Sequence, residues 1–323
     1  MKGKVLAVIM TLMLAGIMSV GCSGQQNKGE STEQIETSKT GEKSIPEQNE
    51  KYKEDVVAYP EGQVFCIGKS AEGRPIAFLF DEKNTTEEKA TYKKYVYKND
   101  EWDEVDISGT NDLLEKNKIS KLYSLNETKE GSIFGVVFKE DNNPFLYSLT
   151  GKFKSYSDVF DGKEVRNFKI VDDKSMLVVY SDGRVSLNDF HGKSIRKFGE
   201  GNALVDEMMD MVFTVDSTGT QIKVFELATG KMEDEYSTEL TNQGVCFAVN
   251  NKDEIYAATE KGIFLLENGT MTEVISGDIM STGALSGNMW LNNMFIEGDV
   301  FYLSYLVEEG NSREYRMTSY RKG

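Results

Sequence analysis

The chain has 323 residues and is acidic, with 53 Asp and Glu against 37 Lys and Arg. A net charge of −16 repels phosphate, so we expect neither nucleic-acid binding nor a general attraction to anionic lipid. The 17 Phe and 15 Tyr allow a sizeable core, and 29 Gly against 4 Pro indicate many turns.

The first element is an export signal. A positive start and a mostly apolar run, residues 5–20, lead through small residues to Cys22. The run is too short to span a bilayer, so residues 1–21 are predicted to be a signal peptide. The segment resembles a bacterial lipoprotein signal, although Ser19 stands where leucine is usual. That resemblance implies lipid on Cys22 and a location on the outer face of the bacterial cell membrane. The alternative is secretion with a free thiol.

The second element, residues 22–55, is predicted to be a lipidated cysteine followed by a disordered tether. It is rich in Glu, Gln, Ser and Lys and has no Phe, Leu or Trp, so it cannot bury enough apolar surface to fold. A flexible chain of this length spans roughly 30 Å. The folded domain is therefore predicted to be residues 56–323.

From residue 56 onward, short runs rich in Val, Ile, Phe and Tyr alternate with turns containing Gly, Asn and Asp, a pattern typical of strands. Residues 111–117 are the exception, predicted as either one helical turn or a loop. Four strand-turn-strand units recur at intervals of about forty residues, which is typical of a β-propeller with one four-stranded blade per repeat. Their turns contain Gly151, Gly192, Gly230 and Gly269.

Two further hairpins extend the series, one turning at Asn99 and Asp100 and one at Gly310. The fold is thus predicted to be all-β, a propeller of six four-stranded blades, with seven blades or a β-sandwich as alternatives. The alternating run at residues 315–320 predicts a final strand. It pairs either beside residues 64–67 or within the sheet that contains residues 301–306.

The sequence contains little that indicates catalysis. His191 is the only histidine and falls in a predicted turn, so histidine-based triads and metal sites are not expected. Cys66 and Cys246 lie in apolar, strand-like runs and are predicted to be buried free thiols, with a disulfide as the alternative. No cofactor or metal is expected, and the protein is predicted not to be an enzyme. A propeller glycosidase using two carboxylates is the weaker alternative.

Two aromatic residues are candidates for ligand contact. Trp102 follows a hairpin turn between acidic residues, and Trp290 ends a stretch rich in Gly, Ser and Asn. Aromatic side chains near loops can act as binding anchors. The alternative for both is structural packing.

A run in the last third of the chain begins KGIFLLENGTMTEV at residue 261 and ends REYRMTSYRK at residue 322. It resembles the closing repeats of the propeller-like N-terminal half of large Gram-positive lipoproteins, the family 1 extracellular solute-binding proteins. In them this half precedes the two-lobed solute-binding module of an ABC importer. The sequence contains no counterpart of that module, so no ligand-binding residue is transferred.

Two hypotheses of function follow. The first is a membrane-anchored, extracytoplasmic binding or scaffold lipoprotein that assists ABC-type uptake of a carbohydrate or peptide. The second is a protein-interaction platform in envelope assembly. The expected partners are the membrane, through the lipid, and either an ABC importer or an envelope protein.

Overall fold

The protein is a β-propeller built from six four-stranded antiparallel sheets. The computed structural model describes residues 52–87, 89–138, 144–206, 209–238, 245–259, 261–276, 289–309 and 312–322. The predicted signal peptide, Cys22 and the predicted tether up to residue 51 lie outside the described residues.

The elements follow the chain in a regular order of short strands with one helix between the fifth and sixth. They are β1 (Tyr52–Val57), β2 (Val64–Lys69), β3 (Pro75–Phe80), β4 (Tyr92–Lys98), β5 (Glu101–Val105), α1 (Ser108–Lys116), β6 (Ser124–Glu127), β7 (Ile133–Phe138), β8 (Pro144–Ser148), β9 (Lys154–Tyr156), β10 (Val165–Ile170), β11 (Ser175–Tyr180), β12 (Arg184–Asp189), β13 (Ser194–Glu200), β14 (Asn202–Asp206), β15 (Met211–Val215), β16 (Gln221–Glu226), β17 (Met232–Ser237), β18 (Cys246–Val249), β19 (Ile255–Thr259), β20 (Gly262–Glu267), β21 (Thr270–Ser276), β22 (Met289–Glu297), β23 (Val300–Glu309) and β24 (Ser312–Lys322).

Each blade takes four neighbouring strands. The first in sequence is innermost in blades 1 to 5, and β22 is innermost in blade 6. Blades 1 to 5 are β2–β5, β6–β9, β10–β13, β14–β17 and β18–β21, and blade 6 contains β22, β23 and β24 with β1 outermost. Because the strands of a blade are antiparallel and even in number, every innermost strand runs the same way. We call the face where the innermost strands begin the upper face, and the face where they end the lower face. The prediction of six blades is confirmed.

Burial follows the position of a strand in its blade. The second strand of blade 3, β11, is buried at all six positions, whereas the outermost strand of blade 4, β17, exposes most of its residues. Apolar clusters of the described residues fill the space between neighbouring blades. Between blades 4 and 5, for example, the rings of Phe213 and Phe247 stack with centroids 4.6 Å apart. Each blade therefore depends on its neighbours for its core.

The predicted turns occupy equivalent places in the repeat. Gly151, Gly192, Gly230 and Gly269 all lie between the third and fourth strands of their blades with positive φ. At Gly192, with φ of 77°, a Cβ atom would lie 2.7 Å from Cβ of Asp161, so only glycine fits. Asn99 and Asp100 also have positive φ, 52° and 67°, and form the same hairpin in blade 1.

The last predicted hairpin is not equivalent to the others. Gly310 lies outside the described residues, but the strands on either side of it, β23 and β24, are the second and third of blade 6. Blade 6 has no hairpin between its third and fourth strands, since its outermost strand comes from the other end of the domain. The predicted final strand is confirmed as β24, and it completes the sheet that contains residues 301–306.

The domain starts earlier than predicted. Residues 52–55, placed in the tether by sequence, belong to β1, which pairs with β24 from Tyr52 opposite Lys322 to Val57 opposite Met317. Tyr52 packs against Phe301 with ring centroids 6.0 Å apart, and Val57 is buried. The prediction was wrong here because an outermost strand exposes one side and one edge. Its charged residues therefore look like those of a tether.

The segment 111–117 is mostly helical, since residues 111–116 belong to α1. The backbone N–H of Tyr92 donates to Oδ1 of Asn111 at 3.0 Å, and Nδ2 of Asn111 donates to the Tyr92 carbonyl at 2.9 Å. Leu114 is fully buried among residues of blades 1 and 2, so α1 fills the space where these two blades diverge.

In the described part of the chain, no helix has the length and apolar character needed to cross a membrane.

Candidate functional site

Exposed aromatic side chains lie at the upper face of blade 2. Tyr123, immediately before β6, is 49% exposed, and Phe138, the last residue of β7, is 37% exposed. Their rings meet edge to face with centroids 4.8 Å apart, and the ring of Phe168 in blade 3 lies 6.4 Å from that of Phe138. We call these three residues the upper aromatic patch.

The local backbone fixes the patch. The N–H of Tyr123 donates to the carbonyl of Val136 at 2.6 Å, which extends the pairing of β6 and β7 beyond the strand. Leu122 is buried, whereas the chain bends at Tyr123 and leaves its side chain exposed. The aromatic side chains of the patch are thus held on rigid elements, as binding anchors usually are.

Trp290 and Trp102, the two predicted contact residues, lie in different environments. Trp290 is 40% exposed near the start of β22, the innermost strand of blade 6, and therefore lies towards the upper face. The indole N–H of Trp102 donates to the carbonyl of Ala58 at 2.9 Å, and its ring lies 5.3 Å from Tyr59 and 5.0 Å from Tyr97. Trp102 thus packs the chain between β1 and β2, and a ligand contact by either tryptophan stays a prediction.

An ion pair crosses the centre of the ring. Nζ of Lys69, the last residue of β2, lies 3.1 Å from Oδ1 of Asp206, the last residue of β14. These are innermost strands of blades 1 and 4, which stand opposite one another in a ring of six. The two side chains therefore meet across the central channel, and their exposed fractions are only 13% and 2%.

Asp206 also connects blade 4 to its neighbour and to its own following turn. The N–H of Val249 in blade 5 donates to Oδ2 of Asp206 at 3.3 Å, and the N–H of Met209 donates to Oδ1 at 3.4 Å. From blade 3, Nζ of Lys169 donates to the Val205 carbonyl at 3.4 Å. Polar side chains from several blades therefore occupy the lower end of the channel.

Sequence analysis did not identify this cluster. The available signal was a carboxylate that ends an otherwise apolar run, NALVD, and a lysine that ends VFCIGK. Nothing in either run indicates a partner 137 residues away.

Cys66 and Cys246 are free and buried, as predicted. Burial raises the pKa of both thiols to about 12, and Sγ of Cys66 donates a hydrogen bond to the Leu125 carbonyl at 3.3 Å. Both thiols are therefore protonated at neutral pH, which suits a packing role.

His191 lies in the exposed turn between β12 and β13, as the sequence predicted.

The other places considered for a site are an open depression and any cluster of metal-ligating side chains. An open depression of about 520 Å³ lies between α1 and the hairpin of β8 and β9, lined by Leu113, Lys116, Asn117, Gly151, Lys152 and Phe153. Among the described residues, no three or more His, Cys, Asp or Glu side chains come together in a way that would hold a metal ion.

Comparison with known proteins identifies no family. No known family profile and no curated protein matches the sequence. Three of the similar solved structures are the WD40 β-propeller domain of Doa1, BamB from Moraxella catarrhalis, and KlHsv2 with loop 6CD replaced by a Gly-Ser linker.

The sequence identities between this chain and the three structures are low. The identities are 12%, 14% and 10%, and the TM-scores are 0.43, 0.38 and 0.45. The matches cover 82%, 81% and 79% of this chain and 95%, 86% and 96% of the other chains, in the same order. The sheet topology itself defines the protein as a six-bladed β-propeller.

Proposed function

We propose that this protein is an extracytoplasmic interaction platform, attached to the bacterial cell membrane by lipid on Cys22, that binds other proteins with its upper face. The observation that carries the proposal is the upper aromatic patch. Two aromatic rings in mutual contact are exposed on a rigid surface of a strongly acidic protein. Aromatic anchors of this kind dominate the binding energy of protein interfaces.

The cross-channel ion pair supports binding at the surface rather than catalysis in the channel. Lys69 and Asp206 neutralise one another, and their ion pair holds opposite blades together. A ring fixed in this way presents its loops and strand ends with little rearrangement, which lowers the entropic cost of association.

A photo-crosslinking phenylalanine analogue at position 123 should give adducts with envelope proteins in intact cells. Ile195 is the matched control position, because it is 50% exposed and lies on the outermost strand of blade 3, away from the patch. We expect adducts from position 123 and few or none from position 195. Equal yields at the two positions would contradict the assignment of the upper face.

The accessory role in solute uptake makes a different prediction. A carbohydrate or peptide at 100 times its Kd stabilises the folded protein by about 2.7 kcal/mol, which a thermal-shift screen detects. If one such solute raises the melting temperature and position 123 gives no adducts, solute binding is the better description.

The proposed anchor is tested at Cys22. The variant Cys22→Ser should appear in the culture medium, since it lacks the thiol that lipid would modify. Fractionation of cells and medium, followed by immunoblotting, measures the distribution. A Cys66→Ser variant controls for loss of a thiol that is buried in the propeller. Retention of the Cys22→Ser variant with the membrane would rule out lipid on Cys22 as the attachment.

A further inference from the structure

A short basic segment leads into the upper aromatic patch. Residues 116–123 read KNKISKLY and contain three lysines and no acidic residue, in a chain whose net charge is −16. Lys116 lies in the last turn of α1, where a cation stabilises the helix C-terminus. Lys118 and Lys121 are exposed, and neither has an ion pair or side-chain hydrogen bond in the described part of the chain.

The geometry places a cation beside the aromatic rings. Leu122 is buried between Lys121 and Tyr123, and both of those residues are exposed. Cα atoms two residues apart in a chain are at most about 7 Å from one another. The Lys121 ammonium can therefore reach a group that contacts the Tyr123 ring.

The nearest carboxylate along this segment is already paired. Glu115 lies 2.5 Å from Nζ of Lys89, so it does not neutralise the lysines that follow. The segment that leads into the patch is thus positive, on a protein that is negative overall. A partner with complementary charge gains by binding here, and electrostatic complementarity selects it over other apolar partners.

We infer that the upper aromatic patch, together with Lys118 and Lys121, binds an acidic segment of a partner protein that also carries an aromatic or aliphatic side chain. The apolar side chain packs on Tyr123 and Phe138, and flanking carboxylates pair with the two lysines. The inference rests on the proposed function and specifies the partner for the same face.

Binding can be measured with fluorescent copolymers before any partner is known. The probes are a glutamate–tyrosine copolymer, polyglutamate and a lysine–tyrosine copolymer, each followed by fluorescence anisotropy with the full mature chain. We expect the glutamate–tyrosine copolymer to bind best and to weaken as salt is raised. Lys118→Gln with Lys121→Gln should weaken it about tenfold, since each exposed ion pair contributes a few-fold.

The matched control is Lys129→Gln with Lys252→Gln, which removes the same charge from exposed hairpins of the lower face. This control should bind the glutamate–tyrosine copolymer like the unmodified protein. Equal weakening by both double variants would show that only net charge matters and would overturn the inference. Equal or better binding to vesicles containing phosphatidylglycerol would also overturn it, since the occupant would then be a lipid surface.

Failure of this inference can be distinguished from failure of the proposed function. If Lys118→Gln with Lys121→Gln leaves the crosslinking at position 123 unchanged, the upper face still binds protein but the partner is not selected by these cations. If position 123 gives no adducts, the proposed function itself fails.

Discussion

Replacing Val57 by aspartate should destabilise the propeller strongly, whereas the same change at the adjacent Val56 should have almost no effect. Val57 is 7% exposed and packs among residues of blades 6 and 1, while Val56 is 79% exposed on the outer side of the same strand. A charge at position 57 has no partner there and prevents β1 from docking on β24. We expect a loss of about 3–5 kcal/mol for Val57→Asp and a change within about ±0.5 kcal/mol for Val56→Asp.

Thermal unfolding gives the measurement, with an expected fall of about 10 °C for Val57→Asp. A truncated chain provides a second test. A protein that begins at Asn49 should melt like the mature chain, and one that begins at Ala58 should melt lower and aggregate, because β24 becomes an open edge. If both truncated chains melt alike, β1 does not close the ring.

The second large effect is expected at Asp206. The variant Asp206→Ala leaves the Lys69 ammonium in the channel without its counter-charge and removes the acceptor for Val249 N–H. Removing one member of a buried pair costs about 3–5 kcal/mol, because the remaining charge is still desolvated. The control is Glu233→Ala, which removes an exposed pair with Lys231 and should leave the stability almost unchanged.

Denaturant unfolding of both variants measures this difference. The double variant Lys69→Met with Asp206→Leu should recover much of the loss, since apolar side chains can replace a buried ion pair at little cost. An Asp206→Ala variant that unfolds at the same denaturant concentration as Glu233→Ala would show that opposite blades do not depend on this contact.

The blades could be predicted from sequence because their turns are local. Gly192 and the pair Asn99 and Asp100 are needed for positive φ within a few residues, so the requirement is visible in a single hairpin. The spacing of such turns then gave the repeat and the number of blades. The hairpin around residue 310 was placed between the right two strands but was taken as equivalent to the others, because a turn residue does not show which two strands of a blade it joins.

Features that depend on distant residues were harder to predict. The sequence of β1, YKEDVV, resembles the polar tether before it, and only its register with β24 explains why Val57 is buried. Lys69 and Asp206 meet because their blades stand opposite one another in the ring. No local sequence pattern indicates this. Trp290 was singled out as an aromatic residue near a loop, but Tyr123 was not. Its exposure depends on its pairing with residues of β7.

The pairing of β1 with β24 also fixes the order of events during synthesis. Because β1 is synthesised before the other strands of the propeller and pairs with β24, the ring cannot close until all six blades have been made. A chain that stops before β24 keeps an incomplete sixth blade and is exposed to proteases. Closure by β1 thus makes a completed ring a sign that the whole propeller has been synthesised.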